Sequence, residues 1–119
     1  MSLDIWLVAM VNTGNPDRTE VLLDDLDTGC SSMNYTHNVT PMWVKAGCYD
    51  ALYNSDGMVA KDTLPAINEA IGKMVTNPRE YEALNPSNGW GEYISAVKFL
   101  LDWQEKLLRD PEAIIRVSK

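Results

Sequence analysis

His37 is the one histidine of the chain, and it stands among Asn34, Thr36, Asn38 and Thr40. An imidazole takes up and returns a proton near neutral pH, and neighbouring amides and hydroxyls can hold it in one tautomer. General-base chemistry also needs a group that orients the ring, and Asp25 and Asp27 are the acidic residues at hand. Asx and hydroxyl side chains near a helix entry are, however, used constantly to satisfy backbone groups, and the capping role is the favoured reading. His37 is the single candidate base, and no complete catalytic set is read around it.

Metal chemistry finds no better footing. Cys30, His37 and Cys48 are separated by seven and eleven residues, which matches no zinc spacing. Asp25-Leu-Asp27-Thr-Gly29 begins like a calcium loop, but Gly29 takes the third oxygen position and Thr36 stands where a bidentate Glu is required. Gly89 and Gly91 are not a dinucleotide fingerprint, since no strand precedes them and no third glycine follows. No metal and no cofactor is expected, and Cys30 and Cys48 are expected as thiols, not as a disulfide.

The second unusual string is Asn85-Pro-Ser-Asn-Gly-Trp-Gly91, in which two glycines bracket Trp90 and let the backbone turn sharply enough to present an indole. An indole so placed can anchor a partner, or it can plug the gap between a helix and a sheet. Both polar strings precede helical patterns, and helix starts carry free amide donors. The expectation is that His37 and Asn38 lie against Asn88 and Trp90 and form one polar surface site, suited to an anionic or carbonyl-rich group.

Asn34-Tyr-Thr-His-Asn-Val-Thr-Pro-Met42 together with Asn85-Pro-Ser-Asn-Gly-Trp-Gly-Glu-Tyr93 resembles a family of small proteins encoded by bacteriophages, prophages and some bacteria. The two strings bracket about half of the chain. The resemblance implies a phage-type accessory protein and, if phage-encoded, residence in the host cytoplasm. It brings no activity and no functional residue with it.

The elements that must position these strings are legible from composition and period. At 119 residues with 45% hydrophobic and 23% charged side chains, the chain has the balance of one folded domain, here 1–119. Residues 5–11 form an apolar, β-favouring run without polar alternation, read as a strand covered on both faces. The turn formers at 12–17 and a second apolar run at 20–24 make it a hairpin. Thr40-Pro41 opens a helix to about residue 54 with Gly47 inside it. A second helix spans 62–76, and Asn77-Pro78 restarts a short one with Asn77 as its cap. The longest helix, 90–108, is expected to pack on 62–76 through Ile67, Ile71, Met74, Val97, Leu100 and Leu101. A β-branched run at 113–117 returns to the hairpin as a third antiparallel strand. The fold expected is α+β, a small antiparallel sheet packed against three to four helices.

Charge and hydropathy bound the partners. The net charge of −7 divides as −6 over residues 1–60, where two basic residues face eight acidic ones, and −1 over residues 61–119, where eight face nine. Such a surface repels phosphate backbones, so direct nucleic-acid binding is not expected. No apolar run nears the ~20 residues of a membrane helix, and residues 5–11 lack the flanks of a signal peptide. The reading is cytoplasmic, and the Asn-X-Thr triplets at Asn34 and Asn38 carry no glycosylation meaning. The leading functional expectation is a non-enzymatic binding module that engages a protein or small polar ligand through the two Asn-rich loops. The alternative is a small hydrolase or transferase with His37 as base.

Overall fold

In the computed structural model, residues 2–12, 18–22, 33–85 and 92–119 are described. The turn at 13–17, the acidic segment with Asp25, Asp27 and Cys30, and Asn88 and Trp90 lie outside these residues. The chain runs β1 (Ser2–Asn12), β2 (Arg18–Leu22), β3 (Met33–Thr36), a single 3₁₀ turn (His37–Val39), α1 (Thr40–Ala46), α2 (Tyr49–Tyr53), α3 (Ala60–Thr76), α4 (Pro78–Glu82), α5 (Tyr93–Arg109) and β4 (Ile114–Ser118). The α+β class holds, with the hairpin strands and the C-terminal strand in one antiparallel sheet. The short β3 was not read from sequence and joins the same sheet.

Among the described residues, every strand-to-strand pairing runs through β1, and one isolated bridge joins Val59 to Ile114 of β4. Asp4 and Ile5 pair both with β3 and with β4, and Val8 pairs both with Leu22 of β2 and with Ile114 of β4. A strand has two edges, so β4 occupies one of them while β2 and β3 follow each other along the other. Within the run read as covered on both faces, Ile5, Leu7 and Val8 are buried and Trp6 is half-exposed, while Ser2 and Asp4, ahead of the run, are also half-exposed. Pleating sends alternate side chains to opposite faces, and while Val8 is buried on one, Leu3, Ile5 and Leu7 point to the other, which meets the main core cluster. Leu3, Ile5 and Leu7 share that face with their cross-strand partners Tyr35, Met33 and Ile115.

Three expected helices differ in extent. Helix α5, read over 90–108, starts at Tyr93 because Glu92 is extended at φ −154°. The helix read over 41–54 breaks at Gly47, whose φ of 84° ends α1, with its amide donating to the Trp43 and Val44 carbonyls at 3.0 and 3.2 Å. A β-carbon there would meet nothing closer than Lys73 Nζ at 3.7 Å, so space is not the constraint. Gly47→Ala is therefore expected to lower stability by about 1–2 kcal/mol through left-handed backbone strain alone, and Gly47→Asn by less. Urea midpoints of the two variants check this, and an alanine variant as stable as the parent would contradict it. Helix α3 starts at Ala60, two residues before the expected start, because tertiary bonds set its first turn: the Ala60 and Lys61 amides donate to the Ala113 and Pro111 carbonyls at 2.8 and 2.9 Å.

Asn77 does not cap α4 with its side chain. Its amide nitrogen instead donates to the Lys73 carbonyl at 3.0 Å and so closes the end of α3. Between α3 and α5, Ile67, Met74 and Leu100 are fully buried, as expected, and Ile71 and Val97 are partly buried. Leu101 is exposed, and Phe99, Trp103 and Leu107 take the buried positions instead.

Candidate functional site

The first polar string begins inside the sheet. On the outer face of β3, the Asn34 side-chain amide donates to Ser2 Oγ and Asp4 Oδ1, each at 2.9 Å, so this asparagine is spent on tying β3 to β1. Tyr35 faces inward, its ring stacked on Phe99 at 5.3 Å and tilted against Trp43 at 6.1 Å. Thr36 then caps the 3₁₀ turn, its Oγ1 accepting the Asn38 amide at 3.2 Å. The cap of this helix entry is thus Thr36, four residues before the expected Thr40, which lies inside α1. One extra 3₁₀ turn ahead of Pro41 accounts for the shift.

His37 sits in that turn. Its ring meets the Tyr53 ring edge-on at 5.3 Å, and Tyr53 in turn stacks on Tyr49 at 4.7 Å. His37 Nε2 is buried and makes no hydrogen bond with a described residue. No carboxylate orients the imidazole among the described residues, and Asp25 and Asp27 fall outside them. Asn38 is exposed.

The two strings meet at Tyr35 and Glu92. The Tyr35 hydroxyl donates to the Glu92 carbonyl at 3.3 Å, and the Glu92 amide lies 3.4 Å from the same hydroxyl oxygen. Asn85 Oδ1 accepts the Tyr93 amide at 2.8 Å, while the Tyr93 hydroxyl donates to the Met74 carbonyl at 2.6 Å. The ends of the second string are thereby fixed against β3 and α3. Asn88 and Trp90 lie between these ends in sequence, outside the described residues.

Some of the amides at the two helix entries already have acceptors within the fold. The Asn38, Glu92 and Tyr93 amides have Thr36, Tyr35 and Asn85 as acceptors. The polar groups that the described part of this arrangement presents are side-chain amides and hydroxyls, with the Asp4 and Glu92 carboxylates beside them. Among the described residues, no group of three or more His, Cys, Asp and Glu is placed to hold a metal ion, and no helix is long and apolar enough to cross a membrane. Sequence reasoning missed Tyr35 and Glu92, although both stand inside the two strings it singled out.

Comparison of the chain with family models, with curated proteins and with solved structures finds no match. The molecule is defined at the level of class: an α+β domain with a β1-centred antiparallel sheet and two polar strings joined at Tyr35.

Proposed function

We propose that this chain is a non-enzymatic binding module, a phage-type accessory protein that engages a protein or small polar ligand through the surface where the two strings adjoin. The observation that carries the reading is the Tyr35–Glu92 contact. It ties the frame of the first string, with exposed Asn38, to the frame of the second, which brackets Asn88 and Trp90. Amides and an indole are recognition chemistry, since they offer hydrogen-bond donors and acceptors and an apolar surface without a nucleophile. The enzymatic alternative requires a carboxylate on the His37 ring. The described contacts of that ring are aromatic, and no observation favours catalysis over binding.

The test measures melting temperature and capture of cross-linked partners from host lysate on the same variants. Asn38→Ala and Trp90→Ala are expected to lose capture while melting near the parent. Tyr35→Phe, which removes the hydroxyl shared by both Glu92 groups, is expected to lose capture and about 1 kcal/mol of stability together. Retention of capture by both Asn38→Ala and Trp90→Ala would end the proposal.

A further inference from the structure

On α5, Ile94, Leu101 and Leu108 recur at every seventh residue and are exposed to 72%, 44% and 59%. Seven residues are nearly two turns of a helix, so the three side chains form one stripe along its length. The stripe lies opposite the face that buries Ala96, Phe99, Leu100, Trp103 and Leu107. Helical geometry also sets Lys98 and Glu105 together on a single flank of the stripe. Both are exposed, and neither takes part in an ion pair among the described residues.

The order of these residues has an internal symmetry. Ile94 and Leu108 are equidistant from Leu101 in sequence, and Lys98 and Glu105 are almost so, with opposite charge. Reversing the direction of the helix therefore lays apolar on apolar and cation on anion. A parallel pairing would set the charged flank against Val97 and Gln104 and leave both charges unmatched.

We propose that this face of α5 is a docking surface for a second copy of the chain, packed antiparallel about a two-fold axis beside Leu101. Ile94 of each copy meets Leu108 of the other, the two Leu101 side chains meet at the centre, and Lys98 faces Glu105 of the second copy twice. This is the self-complementary patch that an isologous dimer needs. Three aliphatic side chains per copy make a smaller apolar contact than an obligate interface does, so the dimer forms and separates with concentration.

Sedimentation equilibrium of the full chain from micromolar to millimolar concentration tests this. The mass is expected to rise from one chain to two, and Leu101→Glu is expected to stay monomeric throughout with the parent's circular dichroism and melting temperature. Lys98→Glu and Glu105→Lys are each expected to weaken association by roughly tenfold. The double exchange K98E/E105K is expected to restore it to within a few-fold of the parent. A parent that remains monomeric at millimolar concentration, a dimer indifferent to Leu101→Glu, or a double exchange no better than either single one would each overturn the proposal.

Discussion

Trp103→Ala is expected to cost about 3–5 kcal/mol of folding stability, while Leu101→Ala, two positions earlier on the same helix, is expected to change it by less than about 0.5 kcal/mol. Trp103 is fully buried, among the largest side chains of the core, whereas Leu101 is 44% exposed on the far side of α5. Deleting the indole removes its transfer energy and leaves a cavity that the surrounding core cannot collapse into without moving backbone. Trp103→Phe is expected to cost much less than alanine. It keeps most of the ring and removes the indole N–H, which is buried and has no acceptor among the described residues. Urea midpoints measured in dilute solution, where association through α5 is negligible, decide the matter. Equal midpoint shifts for Leu101→Ala and Trp103→Ala would contradict this account of the buried face.

Leu101 also illustrates where the sequence reading of α5 went astray. Leu100 and Leu101 are adjacent and equally apolar, so they point about 100° apart and cannot both face α3. Counting leucines favours both, and only the wider arc through Ala96, Phe99, Trp103 and Leu107 decides for Leu100. The same difficulty hid β3: Met33-Asn-Tyr-Thr36 is too short and polar to signal a strand alone, and it becomes one because β1 offers an open edge beside Ser2–Ile5. Where local signals were strong and complete, as for β1, α3 and β4, element type was legible and only the ends moved. Those ends were set by partners distant in sequence, as with the Ala113 and Pro111 carbonyls that receive the first amides of α3.

The candidate site was legible to a different degree. Period and composition picked out both polar strings, but could not divide their residues by task. Asn34, Thr36 and Asn85 are used by the fold, bonding Ser2 and Asp4, the Asn38 amide and the Tyr93 amide respectively. That division depends on pairs up to 32 residues apart, which no local pattern encodes. Tyr35, an unremarked strand residue in the sequence, is the group that joins the strings.

Folding stability is expected to decline as pH rises from about 9 towards 12, chiefly through Cys48. Its side chain is fully buried between α1 and α2, and burial pushes the thiol from 9.0 up to about 12, against a smaller opposing pull from a backbone hydrogen bond. Burial, and then repulsion from Tyr49, raises the Tyr53 phenol from 10.0 to about 12. In both groups the folded chain holds the neutral form to higher pH than the unfolded chain does. Their contribution is therefore fully present below the unfolded values, near 9 and 10, and is lost as pH climbs to the folded ones near 12. For Cys48 alone, the rise from 9.0 to about 12 amounts to on the order of 4 kcal/mol. Denaturation at stepped pH is expected to show the urea midpoint falling across this window, and Cys48→Ala is expected to flatten much of the fall while leaving the midpoint at pH 7 less affected. In a Cys30→Ser background, a thiol reagent at pH 8 is expected to label Cys48 far more slowly in the native protein than in urea. A native labelling rate equal to the unfolded one, or a pH slope untouched by Cys48→Ala, would refute the assignment.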